Sequence, residues 1–297
     1  MTVSFEQAVR ETLVALHGAN HPMFAYWLRG HHEAVAGVNE SIRRLELLLG
    51  KRLTGLRCLD LGCGTGPAAI ALAAHGNLVT AIDSRTDGLG LSLARLRAAE
   101  VGVSIEFLQG DACNLPLPDA SFDVIWSNQV VEHIRSKDAL FQEMARVLHQ
   151  DGAILLQCPN RLWPIEDHCG LLGVGWLPHD LAARYVVWRR RRRSVTEWDV
   201  HPITWPRLRG VIRKSGLSII ASRLDWLLQG RRAKRLWPWV SLGGLLRPQA
   251  RLILEHFGSG IVAILEHDRS LSARGSLGRP APPSLDERSG DGQYSRS

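Results

Sequence analysis

Short apolar runs alternate with amphipathic segments between residues 56 and 160. The runs predict strands at 56–61, 78–82, 104–108, 122–126 and 153–157, and the spacing between them predicts helices at 67–75, 86–101 and 138–148. Strands that are apolar on both faces must be covered on both sides, so this alternation favours a parallel sheet between two layers of helices. We therefore predict an α/β fold with a doubly wound sheet.

The segments on either side of this region predict further elements. Helical spacing at 3–17 and 31–49 predicts an N-terminal helical cap over residues 1–50. The main domain is predicted at 51–268, with an insertion at 161–202 after the fifth strand. It continues with helices at 203–215 and 240–257 and strands at 217–224 and 259–266. The tail at 269–297 is rich in Ser, Gly, Pro and Arg, so we expect it to be disordered.

Composition excludes several classes of protein. Apolar residues make up 45% and charged residues 22%, which allows a sizeable core and argues against a mainly disordered chain. No apolar run approaches the ~18–20 residues of a membrane-spanning helix, and the first residues lack the layout of a signal peptide. The five cysteines form no CxxC pair, which argues against a disulfide framework or a metal site. We expect a cytoplasmic protein, with association at a membrane surface left open.

A glycine-rich loop follows the first predicted strand. Glycines at 62, 64 and 66 allow the chain to turn sharply and bring bare backbone close to a ligand, and Pro67 is well suited to start the next helix. Dinucleotide-binding folds use GxGxxG, with the third glycine where this chain has Pro67. The GxGxG spacing therefore disfavours a pyrophosphate site.

Acidic residues follow the next two strands. Asp83 closes the second strand, 23 residues after Asp60, where its carboxylate can accept hydrogen bonds from ribose hydroxyls. Asp111 and Ala112 follow the third strand, where a carboxylate and a backbone N–H can bind the edge of adenine. These residues predict a site for a nucleoside without phosphates. The alternatives are that Asp60 and Asp83 are ordinary turn residues and that Asp111 caps a turn.

Four motifs in order carry a resemblance to a known family. They are LDLGCGTG (59–66), AID (81–83), GDACNLPLPDASFDVIWSNQVVEHI (110–134) and DGAILLQCPN (151–160). With them, residues 56–160 resemble a class I S-adenosylmethionine-dependent methyltransferase of the type 11 group, which includes relatives of the ubiquinone/menaquinone C-methyltransferases. The resemblance implies a Rossmann-like, mostly parallel seven-stranded sheet whose last strand, at 259–266, runs antiparallel.

The same resemblance implies a set of residues that would hold S-adenosylmethionine: Asp60, Gly62, Gly64, Gly66, Asp83, Asp111, Ala112, Asn128 and Gln129. The glycines would line the methionine end, and Asp60 would help to hold the loop and the amino group. Asp83 would take the ribose, and Asp111 with Ala112 the adenine. Asn128 and Gln129 would border the methyl group.

The acceptor should bind where the loops after strands four and five meet. His133 is a candidate general base, although it could equally pack at the start of a helix. His168 is a second candidate base. Four residues of the segment after strand five are candidate substrate contacts: Asn160, Trp163, Glu166 and Asp167. The alternative is a solvated loop.

Cys158 precedes Pro159, as in pyrimidine C5-methyltransferases, but without their other motifs we interpret it as a packing residue.

Charge is unevenly distributed along the chain. Residues 1–160 carry a net charge of −4 and residues 161–297 carry +11. Arginine and tryptophan are interleaved at 184–193 and 231–239, a pattern that suits the surface of an anionic membrane. Binding to nucleic-acid phosphates is disfavoured because no RNA-binding domain is recognisable. A solvated basic surface is the remaining alternative.

The leading functional hypothesis is methyl transfer to oxygen or carbon of a small-molecule or lipid-like acceptor. Three alternatives remain open. They are O-methylation of a glycan or secondary metabolite, a catalytically silent donor-binding scaffold, and an RNA methyltransferase.

Overall fold

A computed structural model describes residues 3–19, 24–166, 169–190, 200–229, 256–258 and 260–269. Four predictions lie wholly or largely outside these ranges. They are the roles of Asp167 and His168, the helix predicted at 240–257 up to residue 255, the basic segment at 231–239, and the disordered tail from residue 270 onward. The predicted domain boundaries stay predictions.

Seven strands form one sheet. They are β1 (Arg57–Leu61), β2 (Leu78–Asp83), β3 (Glu106–Gln109), β4 (Phe122–Asn128), β5 (Leu148–Pro159), β6 (Leu217–Ser222) and β7 (Gly260–His267). Their spatial order is β3-β2-β1-β4-β5-β7-β6. Strand β7 pairs antiparallel with both β5 and β6, and the pairs from β3 to β5 are parallel. The predicted mostly parallel α/β sheet with an antiparallel last strand is confirmed.

Eight helices belong to the described part of the chain. They are α1 (Phe5–His17), α2 (Phe24–Leu49), α3 (Pro67–Ala74), α4 (Leu91–Val101), α5 (Lys137–Val147), α6 (His179–Arg190), α7 (Trp205–Lys214) and α8 (Arg223–Leu228). Apolar side chains of α5 and α7 pack on one face of the sheet, and those of α2 and α3 pack on the other. Burial on both faces explains why the central strands are apolar without alternation.

Strand register brings the carboxyl ends of neighbouring strands together at one edge of the sheet. Leu61 at the end of β1 pairs with Ile82 of β2 and with Ser127 of β4. Asp83 at the end of β2 pairs with Gln109 of β3. The carboxyl ends of four parallel strands therefore meet, which is where ligands bind in open α/β sheets.

The N-terminal helices pack on the main sheet domain. Phe5 of α1 joins a buried cluster with Leu93 of α4, and the Arg97 guanidinium carbon lies 4.5 Å from the centre of the Phe5 ring. Arg97 also donates a hydrogen bond of 2.8 Å to the carbonyl of His31 in α2. His31 Nδ1 is 3.3 Å from Thr65 Oγ1, so helix α2 reaches the glycine loop.

Two helix starts differ from the sequence prediction by more than two residues. Helix α4 begins at Leu91 rather than at residue 86, because Gly88 takes a left-handed φ of +65° and Gly90 is extended, so residues 84–90 form a loop. Helix α2 begins at Phe24, seven residues before the predicted start. Within the described residues, no helix is both long enough and apolar enough to cross a bilayer.

The insertion after β5 contains a small apolar cluster of its own. A single 3₁₀ turn at Val174–Trp176 is followed by α6, and Val174, Ala183 and Val186 are buried against each other. The two ends of the insertion lie side by side, since Asn160, directly after β5, forms an isolated parallel bridge with Ile203.

Candidate active site

The glycine loop leaves β1 in left-handed backbone conformations. Gly62, Gly64 and Gly66 have φ values of +73°, +52° and +76°, which residues with a Cβ adopt only at a cost. The amides of Gly62 and Cys63 both donate to the carbonyl of Ile82, at 2.8 and 3.0 Å. These bonds fix the loop on the end of β2.

Gly62 is required for a second reason. A Cβ at this position would lie 2.4 Å from Val130 Cγ2, closer than two carbon atoms can approach. Val130 belongs to the loop after β4, so the glycine allows the loops after β1 and β4 to touch. At Gly66, the first residue before α3, an added Cβ would lie 3.1 Å from the Cβ of Ala94.

Asp83 is buried at the end of β2 and uses both of its carboxylate oxygens. Oδ2 accepts a hydrogen bond of 2.8 Å from the amide of Gly64 in the glycine loop. Oδ1 accepts from the amide of Arg85 at 2.9 Å and from its Nε at 3.3 Å. The carboxylate predicted to take a ribose thus also holds the glycine loop in place.

Asp60 lies beneath the same loop and is 4% exposed. Its Oδ2 accepts a hydrogen bond of 2.8 Å from the amide of Ala69 in the first turn of α3. Burial raises the pKa of Asp60 to about 7, and the charge of Asp83 acts in the same direction. The contact with α3 agrees with the predicted role of holding the loop.

The raised pKa of Asp60 predicts a pH dependence of stability. Its pKa in the unfolded chain is about 4, so the folded chain binds the proton more tightly. The free energy of unfolding should therefore fall as the pH rises from about 4 to about 7 and change no further from this group. Asp60→Asn should remove this slope, as measured by urea unfolding of both proteins across that range. Parallel pH profiles for the two proteins would contradict the assignment.

Asp111 lies in the turn after β3. Its Oδ1 accepts a hydrogen bond of 2.8 Å from the amide of Cys113, as in an Asx turn. The capping alternative raised from the sequence is therefore present in the structure. Asp111 and Ala112 also line a cavity at the carboxyl ends of the strands, so capping does not remove them from the site.

A cavity of about 470 Å³ opens at the carboxyl ends of β1 to β4. Six of the predicted residues line it: Gly62, Asp83, Asp111, Ala112, Gln129 and His133. Apolar side chains of Leu61, Ile82, Val130 and Ile134 form further walls. Asp60, Gly64, Gly66 and Asn128 are not among the lining residues. An apolar pocket with a few convergent polar groups is the usual form of a small-molecule site.

A buried lysine supports the cavity wall that carries His133. His133 ends a 3₁₀ turn (Val131–His133) and is exposed. Lys137 Nζ donates hydrogen bonds to the carbonyls of Val131 and Ile134, on either side of it. Burial lowers the pKa of Lys137 to about 8, against the opposing effect of the buried carboxylate of Glu132. Gln129, at the entrance to this turn, has a strained φ of +59°.

Sequence reasoning missed Lys137, Val130 and Arg85. Lys137 reads as an ordinary residue in the first turn of α5, and its contacts become visible only in the folded chain. Arg85 could have been found from the sequence, because it follows Asp83 by two residues and therefore lies in the loop that borders the predicted ribose site. Its side chain is mostly exposed and it lines the cavity.

The predicted acceptor residues after β5 lie elsewhere. Asn160, Trp163 and Glu166 line a separate cleft of about 10 Å³. The side-chain Nδ2 of Asn160 donates to the carbonyls of His256 and Gly258, at 3.0 and 3.1 Å. Glu166 Oε2 accepts from the amide of Cys169 at 2.8 Å. Asn160 thus joins the end of β5 to a distant segment of the chain, and Glu166 stabilises its own loop. Their predicted role in substrate binding stays a prediction.

A reactive cysteine, or a group of side chains that could hold a metal ion, would add further chemistry to the site. Burial raises the pKa of the Cys158 thiol, which is 2% exposed, so a nucleophilic thiolate is disfavoured there. Among the residues that the structure describes, no group of three or more His, Cys, Asp or Glu side chains is arranged to hold a metal ion.

Comparison with known proteins shows what part of this chain resembles. Residues 59–156 match the type 11 family model described as a methyltransferase domain. A protein of Mycobacterium tuberculosis strain H37Rv, named as a probable S-adenosylmethionine-dependent methyltransferase, is 33% identical over 137 residues. These residues are 46% of this chain and 44% of that protein. The 27-O-demethylrifamycin SV methyltransferase of Amycolatopsis mediterranei is 34% identical over 135 residues, 44% of this chain and 48% of that protein.

A solved structure supports the fold. The crystal structure of a protein from Galdieria sulphuraria, described as a candidate sarcosine dimethylglycine methyltransferase, superposes with a TM-score of 0.50 at 20% identity. It covers 77% of this chain and 85% of that chain. The chain spans less than half the length of the curated relatives it matches. The resemblance to type 11 methyltransferases is confirmed over the matched residues.

Proposed function

From the premise that residues 59–156 form a type 11 methyltransferase domain, we propose that this chain transfers a methyl group from S-adenosylmethionine to a small-molecule or lipid-like acceptor. The cavity at the carboxyl ends of β1 to β4 carries the proposal, because it gathers Gly62, Asp83, Asp111 and Gln129 around one apolar space. A cytoplasmic location accompanies this proposal.

The residues present fit the donor. Bare glycine backbone leaves room that a side chain would fill, as the contact between Gly62 and Val130 illustrates. Two acids stand at the ends of β2 and β3, where ribose hydroxyls and an adenine amino group can donate to them. The buried carboxyl of Asp60 lies under the end that would receive the amino acid part of the donor. When bound, S-adenosylmethionine supplies an electrophilic methyl group on a positively charged sulfur.

The role of the protein in such a displacement is mainly alignment. Holding acceptor and donor in line can supply about 7–11 kcal/mol of the barrier. Gln129 and His133 both line the cavity. Lys137 donates hydrogen bonds to backbone carbonyls on either side of His133 and so holds this turn in place. Where the acceptor is a hydroxyl, we propose that His133, which lines the cavity, removes its proton.

Oxygen is the acceptor atom that the comparisons favour. The name of the Amycolatopsis relative specifies methylation at an oxygen of 27-O-demethylrifamycin SV. An exposed histidine at the cavity agrees with that chemistry, because a hydroxyl must lose its proton and a base accelerates this step. Carbon remains the second acceptor atom.

Incubation with labelled donor tests the proposal. The purified chain is mixed with methyl-tritiated S-adenosylmethionine and with separate lipid, small polar and RNA fractions of a bacterial lysate. Transfer to the lipid or small-molecule fraction is expected. Transfer to RNA alone would indicate an RNA methyltransferase. Donor binding by calorimetry without transfer to any fraction would indicate a silent scaffold.

Replacing His133 tests the base. With a hydroxyl acceptor identified in this way, His133→Ala should lower the rate of methyl transfer about 10²–10⁴-fold and leave the affinity for the donor unchanged. His149→Ala, at the amino end of β5, is the matched control and should retain the wild-type rate. An unchanged rate in His133→Ala would show that His133 is not the base.

A further inference from the structure

Helix α6 presents an unusual outer face. At 100° per residue, Ala182, Ala183 and Val186 lie on one side of the helix, and all three are buried. Leu181, Arg184 and Trp188 follow at three- and four-residue steps on the opposite side, and we call these three residues the outer face. Leu181 is 52% exposed and Trp188 is 71% exposed. A helix that already buries one apolar face normally shows polar residues on the other.

Exposed apolar side chains are concentrated around this helix. Five of the thirteen large apolar side chains that are exposed in the described chain fall between residues 165 and 188. One is Trp176, which is 56% exposed while its Nε1 donates to the carbonyl of Leu162 at 3.2 Å. The polar edge of the indole is thereby fixed, and much of its ring faces outward. Such concentration on a soluble domain marks an interaction surface.

The sequence around the outer face is rich in positive charge. Residues 179–193 contain six arginines and a single acid, Asp180. The guanidinium carbon of Arg189 lies 5.7 Å from the centre of the Trp188 ring, so cation and indole are presented together. The partner must therefore offer both apolar volume and negative charge.

An anionic bilayer fits these requirements better than a protein or a nucleic acid. Tryptophan and arginine both suit the boundary between headgroups and acyl chains, where each keeps a polar part in water. The outer face is a stripe of three residues on one helix, and a fluid bilayer can adapt to such a surface. The phosphates of a nucleic acid would bind the arginines but would offer Leu181 no apolar contact. A second Arg/Trp segment at 231–239 supplies further basic and aromatic residues in the same half of the sequence.

We propose that the outer face of α6 binds the surface of an anionic phospholipid membrane, with the helix lying in the plane of the interface. The insertion that carries α6 leaves β5 at the sheet edge where the cavity opens. It is tied to the cavity wall, because the amide of His201 donates to the carbonyl of Glu132 at 2.6 Å. The binding itself does not depend on the proposed methyl transfer.

Cosedimentation with vesicles tests the proposal on the full chain. Vesicles of one part phosphatidylserine to three parts phosphatidylcholine should bind the protein at low salt. Pure phosphatidylcholine should bind it much less, and added salt should weaken the binding. The double variant Leu181→Asp/Trp188→Asp should lower the partition coefficient at least about tenfold, because two apolar side chains are replaced by acids.

A matched control separates the outer face from general surface effects. Leu47 of α2 has the same exposure as Leu181, at 52%, and also lies on a helix. Leu47→Asp should bind vesicles as the wild type does, and thermal unfolding should show that all variants are folded. Equal loss in Leu47→Asp would overturn the proposal, and so would a double variant that binds normally.

Two other results would also overturn the proposal. The first is no binding to phosphatidylserine vesicles at low salt, whether or not RNA binds. The second is a dimer in sedimentation velocity that Trp188→Asp dissociates, without vesicle binding by the wild type. That result would assign the outer face to a second copy of the chain.

Discussion

Gly62→Ala is expected to abolish binding of S-adenosylmethionine and to lower the free energy of unfolding by about 2–5 kcal/mol. Two costs combine at this position. The backbone φ of +73° is unfavourable for any residue with a Cβ, and the added carbon would lie 2.4 Å from Val130 Cγ2. Val130 lines the cavity, so relief of the clash must move the cavity wall. Calorimetric titration with the donor and urea unfolding measure the two effects.

Two variants separate the clash from the backbone strain. Gly88→Ala places a Cβ at a similar φ of +65° with no atom within 4 Å, so it should lose only about 1–2 kcal/mol. The double variant Gly62→Ala/Val130→Ala removes the γ carbons that cause the clash. It should be less destabilised than the sum of the single changes. Additive effects would show that Val130 is not the obstacle.

The central sheet was predictable because each of its strands is marked by residues that are close together in the sequence. Apolar runs gave strand positions, and glycine at 62, 64 and 66 marked the turn after β1. The predicted start of α4 at residue 86 was wrong, since residues 86–90 contain one apolar residue, Leu89, and two glycines. Gly88, with a left-handed φ, and Gly90, with an extended backbone, keep this segment out of the helix.

The candidate site was predictable where it depends on strand ends. Asp83 and Asp111 follow strands whose carboxyl ends meet, so their approach to one cavity follows from the fold class. Contacts between distant segments gave no such signal. Asn160 bonds to carbonyls 96 and 98 residues further along the chain, and no pattern near residue 160 reveals them. The buried contacts of Lys137 likewise require the folded loop.

Asp83→Ala should lower the affinity for S-adenosylmethionine at least about 100-fold, because two charge-assisted hydrogen bonds to the ribose would be lost. A carboxylate offers about four lone-pair positions. Three are taken in the structure, by the Gly64 amide and by the amide and Nε of Arg85. Two ribose hydroxyls can both be accepted only if one of these donors leaves. The Nε bond of Arg85 is the longest of the three, at 3.3 Å, and its side chain is 61% exposed.

Arg85 should therefore compete with the ribose for Asp83. Arg85→Ala is expected to bind the donor at least as tightly as the wild type, in contrast to the loss in Asp83→Ala. Asp87→Ala, which removes an exposed acid from the same loop, is the control for net charge and should bind normally. Calorimetry with S-adenosylmethionine measures all three variants. Wild-type affinity in a folded Asp83→Ala protein would show that the carboxylate at the end of β2 does not hold the ribose.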